Sequence, residues 1–250
     1  MRKTPTLALG LLASIAFTGG AVAQAPAPSH TSQMGITPSQ AGTSKKPKSV
    51  TKWSLAIRND KAAGSTASKI EISLPKTLKL NTKGFTTCSE SKLSNSGPAS
   101  CSPKSRLGGG TASAVLGPTS PSPAPLAFKN TFFVGSATTF NIFLEQVGGD
   151  VAKVLVGKIS KAGGAYGQKL TISIPKDLQQ PVPGTYSALA DIKASLRGTA
   201  GSGSKKHSFL ESTGCSGGKW RFRTKLTYAP NPDPPASTTS TATDSVRCRK

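Results

Sequence analysis

Gly214-Cys215-Ser216-Gly217-Gly218 fits the G-x-S-x-G pattern of hydrolase nucleophile loops, and His207 precedes it closely. Serine attack on an acyl carbon needs a base for the hydroxyl proton, a group that orients the base, and backbone amides aimed at the oxyanion. The elbow supplies those amides by standing between a strand and a helix. Here the residues that follow, Lys219 to Tyr228, alternate as a strand, and no orienting carboxylate is evident. Cys215 reads better as a disulfide partner and the glycines as a turn. A secreted serine hydrolase using Ser216 and His207 therefore stands as the alternative reading, and no catalytic residue is assigned.

Other reactive patterns are weaker still. Ser-x-x-Lys occurs at Ser89 to Lys92 and at Ser202 to Lys205, but neither stretch shows the helix and companion motifs this chemistry uses. Gly108-Gly109-Gly110 lacks the Lys-Ser/Thr that completes a phosphate loop and reads as a turn. The acidic residues are scattered singly, which argues against a paired-carboxylate hydrolase or a calcium loop. Cys88, Cys101, Cys215 and Cys248 form an even set without a C-x-x-C pair, and His30 and His207 lack ligand spacing. Disulfides are expected and zinc is not; no cofactor is implied. Of the three possible connectivities, closeness in sequence favours Cys88–Cys101 and Cys215–Cys248.

The chemistry this chain does display is charge. There are 32 Lys and Arg against 10 Asp and Glu, a formal net charge of +22. Lys219, Arg221, Arg223 and Lys225 fall on one face of the strand that follows the glycines, and Trp220, Phe222, Leu226 and Tyr228 fall on the other. Same-face residues of a strand stand about 7 Å apart. The result is a regular basic stripe on an apolar underside, suited to anionic cell-wall polymers or anionic lipid headgroups and sensitive to salt. Nucleic acid is disfavoured, because inward aromatics cannot stack on bases. Basic strands also keep sheet edges from pairing with other chains, which is the plainer explanation.

These residues must be positioned by strands. Gly and Pro number 26 and 19, which interrupts long helices. Arg2 and Lys3, the apolar run Leu7 to Phe17 and Ala21-Val22-Ala23 make a secretory signal over 1–23, too short to span a bilayer. No transmembrane segment is expected after its removal. Residues 24–48, rich in Ala, Pro and Ser, read as a disordered leader. A β-domain follows over 49–250, with a Pro-rich stretch near 117–127 that allows two halves.

Trp53, Leu55 and Ile57 alternate with polar residues, as do Ile70, Ile72 and Leu74, whose strand Pro75 ends. Leu78 to Gly110 reads as loop with a helical turn near Glu90 to Leu93. Further strands are expected at 111–116, 128–134, 139–147, 151–159, 186–196 and 219–228. Lys69 to Leu78 matches Lys169 to Leu178, either as a duplicated unit or as two strands stopped alike by Pro-Lys.

Ile72-Ser73-Leu74-Pro75-Lys76, then Phe85, Cys88, Leu93, Gly97, Cys101, Ser105, Gly108, Gly110, Thr111, Ala112 and Ala114 make a specific pattern. It resembles a group of uncharacterised secreted β-rich proteins of actinobacteria. Cys215, Gly217-Gly218, Trp220, Phe222, Tyr228 and Cys248 are similar too. The resemblance implies an exported, disulfide-bonded β-domain and carries no activity with it.

The expected fold is all-β, an antiparallel sandwich of the immunoglobulin-like or jelly-roll-like kind. The expected role is a non-enzymatic secreted or envelope protein, structural or binding anionic surface polymers through its basic strands. A protein-interaction module is a further alternative.

Overall fold

The computed structural model describes residues 27–59, 66–117, 124–229 and 237–250. The signal sequence expected over 1–23 lies outside them. In chain order the elements are β1 (His30–Thr37), β2 (Lys48–Val50), β3 (Lys52–Asn59), β4 (Ala67–Pro75), β5 (Leu78–Leu80) and α1 (Glu90–Ser96). Then come β6 (Arg106–Leu116), β7 (Ala124–Val134), β8 (Thr139–Gln146), β9 (Ala152–Lys161), β10 (Tyr166–Ser173) and α2 (Lys176–Gln179). The rest are β11 (Ser187–Leu196), β12 (Thr199–Ala200), β13 (His207–Ser208), β14 (Leu210–Ser212), β15 (Lys219–Tyr228) and β16 (Thr238–Arg247).

Eleven strands form one antiparallel sheet in the order β1-β3-β11-β6-β7-β8-β9-β10-β4-β15-β16. Its first and last strands lie against each other, so the sheet is rolled nearly closed. The sequence predicts two facing sheets; the described strands instead make one sheet curled on itself. A twisted sheet this wide cannot stay open and flat, and rolling buries its apolar face without a second layer. Two expectations about organisation change with it. Residues 30–37, within the expected leader, form β1 and pair with β3 along their whole length. The stretch near 117–127 separates β6 from β7, which are themselves paired from Arg106↔Phe133 to Leu116↔Ala124.

With an odd number of antiparallel neighbours, the two closing strands run parallel. A parallel bridge joins Gln40 to Arg249 just past their ends, and Ala41 N–H donates to the Arg249 carbonyl at 2.7 Å. Within the seam, side chains make the connection. Met34 N–H donates to the Asp244 carboxylate at 2.5 Å. The His30 ring shares hydrogen bonds with Ser240 Oγ at 2.6 Å and Thr224 Oγ1 at 2.8 Å. Tyr228 Oη shares another with Ser240 Oγ and donates to Asn59 Oδ1, both at 2.9 Å.

The inner rows carry the core: Trp53 and Ile57 of β3, Ile70 and Ile72 of β4, Ile142 of β8, Ile172 of β10, and Trp220, Phe222 and Leu226 of β15. Leu55 and Ile192 are half-buried against it. The segments matched in sequence at Lys69 and Lys169 turn out to be neighbours, β4 and β10, paired with Ile72 opposite Leu170 and Ile70 opposite Ile172.

One end of the barrel is capped. β2, β5 and β14 form a three-stranded sheet there, with Val50, Leu78, Leu80 and Leu210 buried in the main core. Leu80 N–H donates to Gln168 of β10 at 2.7 Å, tying cap to wall. Outside the wall, Ser89 caps α1 by accepting the Lys92 N–H, so this Ser-x-x-Lys match is a helix start. Leu93 packs with Cys88, Cys101, Phe133 and Phe143, covering the outer apolar patch of β7 and β8.

Disulfides join Cys88 to Cys101 and Cys215 to Cys248, with Cα separations of 5.7 and 5.8 Å. The second anchors the strand end that carries the Arg249 bridge, so it reinforces the seam. Replacing both Cys215 and Cys248 by Ser should destabilise the fold by about 3 to 4 kcal/mol, the loop-closure value for a bridge of this span. Thermal unfolding of the oxidised variant beside wild type measures it, with an expected fall in Tm of roughly 7 to 15 °C.

Candidate functional site

The outer face of β15 carries Lys219, Arg221, Arg223 and Lys225, while Trp220, Phe222, Thr224, Leu226 and Tyr228 are buried beneath it. This alternation follows the pleat, which sends successive side chains to opposite faces. The neighbouring strands extend the basic stripe into a wall. Register places Arg223 beside Ser73, Lys225 beside Glu71 and Thr227 beside Lys69 on β4. On β10, Lys169 stands opposite Ser73 and Thr171 opposite Glu71. Lys158 of β9 lies opposite Thr171. On the other side, Lys219 pairs with Arg247 of β16. Across β9, β10, β4, β15 and β16 the outer rows thus hold eight basic side chains and one carboxylate, Glu71.

Glu71 organises the centre of this wall. Lys169 Nζ bonds its carboxylate at 2.5 Å, and Lys69 and Lys225 stand near. The hydrogen bond from Lys169 leads the forces that hold the Glu71 carboxyl below the usual range; burial opposes them, and the charges of Lys169, Lys69 and Lys225 add to them. Arg223 reaches across Ser73 and sets its guanidinium 4.7 Å from the centre of the Tyr166 ring. That contact restricts the rotamers of a long side chain. Beside the basic rows, Thr239, Thr241, Thr243 and Ser245 line the exposed face of β16. These hydroxyls donate and accept hydrogen bonds at the same regular spacing.

Among the described hydrogen bonds none joins Ser216 to His207. Ser216 begins a short turn that leads directly into β15, so no helix follows it. Both ring nitrogens of His207 face carbonyl oxygens, that of Lys205 at 3.1 Å and that of Lys83 at 2.6 Å. Its ring packs edge-on against Phe85. All four cysteines are committed to disulfides. The sequence missed the contributions of β4, β9, β10 and β16 to the basic wall. Lys69, Lys158, Lys169 and Arg247 are separated along the chain, and only the strand order assembles them.

No protein-family model, curated protein or solved structure matches this chain. The site is therefore read from its own geometry. The cations line one side of a rigid sheet in rows spaced about 7 Å along each strand and about 5 Å between strands.

A second lowered carboxyl, Asp177, is held down chiefly by its bond from Lys153 at 2.6 Å, but both side chains are about half exposed and the pair contributes little. Glu71 is the better-shielded group, with 16% of its side chain exposed. Its lowered folded pKa stabilises the fold above the unfolded carboxylate value, and that stabilisation is lost as pH falls through the folded value. Tm measured from pH 6 down to about 3 should therefore fall less steeply for Glu71→Gln than for wild type, a difference of about 1 kcal/mol or less.

Proposed function

We propose that this is a non-enzymatic exported protein whose basic outer wall binds a linear anionic polymer at the cell envelope. The observation that carries the reading is convergence: side chains far apart in sequence share one face, with Glu71 the single acid among them. Export is supported by the secretory pattern over 1–23 and by two disulfides, which suggest an oxidising, extracellular environment.

The wall favours a polymer over a lipid surface. The outer rows of β15 and β16 carry cations, threonines and a serine, with no apolar side chain to enter a bilayer. Interfacial binding needs such apolar burial in addition to charge. A flexible chain of phosphates or carboxylates needs only regularly placed cations, and the hydroxyls of β16 suit its sugar or ester oxygens.

Titration of the mature protein with inorganic polyphosphate, and co-sedimentation with purified cell wall, test the proposal. Binding should weaken steeply between low and moderate salt as counterions are released. The triple variant Arg221→Gln, Arg223→Gln, Lys225→Gln should bind weakly and show a salt slope shallower by roughly one unit per charge removed. Glu71→Gln should bind more tightly than wild type. Absence of binding at low ionic strength, or equal binding by the triple variant, would overturn the reading.

A further inference from the structure

We propose that the barrel lumen is a binding site for a small apolar molecule bearing a hydroxyl group. The inner wall encloses a cavity of about 300 Å³. This is the size at which small-molecule sites begin. Its lining is almost wholly aliphatic and aromatic, including Leu55, Ile57, Ile72, Phe128, Phe140 and Ile142. The lining runs from beneath the cap to the opposite rim, where Leu116, Leu126, Val151, Leu178 and Pro181 surround it.

The space has a sequence cause. The inner positions of β6 are Gly108, Gly110, Ala112 and Ala114, which present almost no side chain to the lumen. At Gly110 a Cβ would lie 1.9 Å from the Lys193 carbonyl oxygen, so the neighbouring backbone itself keeps this position small. Facing strands carry residues of ordinary size, and the interior is left unfilled along one side. Space left between apolar side chains forfeits packing contacts. Ala112 and Ala114, the small residues at alternate positions of β6 that line this cavity, leave that side of it unfilled.

The second observation is polar. Asn130 points into this lumen between Phe128 and Phe132, and it is 4% exposed. Its Oδ1 atom has no hydrogen-bond partner. Leaving a buried carbonyl oxygen unpaired forfeits its hydration without return, a cost that Leu at the same position would not carry. The Trp53 indole N–H, also in the lining and 3% exposed, is likewise unpartnered.

These atoms select the ligand. Asn130 Oδ1 accepts, while the Trp53 N–H and the Asn130 amide N–H groups donate, so the ligand must both donate and accept, as a hydroxyl does. A pure hydrocarbon leaves the amide unpaired. A carboxylate only accepts, and among the described residues no cation lines the lumen to offset its desolvation. An alcohol donates its O–H to Asn130 and places the remaining carbon skeleton against the apolar wall. A fatty or terpenoid alcohol has this chemistry. The inference is independent of the outer wall, since the two faces share no side chain.

Trp53 makes the test direct, because the chain has only two tryptophans and Trp220 is buried elsewhere, with its Nε1 bonded to the Gly214 carbonyl at 2.9 Å. Bromododecanol should quench the fluorescence of wild type and of Trp220→Phe, and this quenching should vanish in Trp53→Phe. Competition should rank dodecanol above dodecane and dodecanoate. Asn130→Leu should weaken dodecanol about tenfold and leave dodecane unchanged or tighter. Ala112→Leu, which fills the lumen and leaves the amide alone, should abolish binding of all three while the protein stays folded. Failure to quench Trp53, equal quenching in Ala112→Leu, or a wild type that prefers dodecane or dodecanoate would each overturn the proposal.

Discussion

Closure of an odd-stranded antiparallel sheet is the constraint on which this structure depends. β1 and β16 must meet in parallel, and the described hydrogen bonds between them use side chains: Asp244 on the Met34 amide, and His30 on Ser240, with Thr224 of β15 bonding the other nitrogen of the His30 ring. Without that seam the sheet has two free edges, and its apolar inner rows lie open to water. With it, one layer of strands encloses its own core. The small sheet of β2, β5 and β14 then closes one end, and the Cys215–Cys248 bridge fastens the last strand where the seam finishes.

Rolling the sheet also separates two chemistries by parity alone. Along β15 every even position from Trp220 to Tyr228 goes inside, and the cations between them go outside. Membrane-spanning barrels have the opposite arrangement, an apolar band outside and a polar interior. Here the apolar side is within, and the charged and hydroxylated side faces out across β4, β15 and β16. A single pleated wall therefore presents cations and hydroxyls on one surface and an apolar lumen on the other.

Strong alternation made much of this readable from residues. Trp53, Leu55 and Ile57, the Ile70 to Leu74 strand with its proline stop, the β15 stripe and both disulfides are found where their spacing predicts. Of the eleven strands in the large sheet, the two that escaped are those that close the barrel. β1 reads HTSQMGIT and β16 reads TTSTATDSVR, with few apolar residues because the seam they form is polar inside. Missing both closing strands leaves a sheet that must find a second layer, which is why a sandwich was the natural expectation. The lumen escaped for a related reason: on β6 it is lined by Ala112 and Ala114, small residues that carry little signal in the sequence.

The seam also couples the first and last described strands, His30 with Ser240, across a separation of 210 residues. Such a contact is among the last that a growing or threading polypeptide can make. An exported chain emerging amino end first would hold an unfinished sheet until its final strand had passed through. Folding would then be completed on the far side of the membrane, and a proteolytic cut before β16 would leave exposed edges ready to recruit other copies.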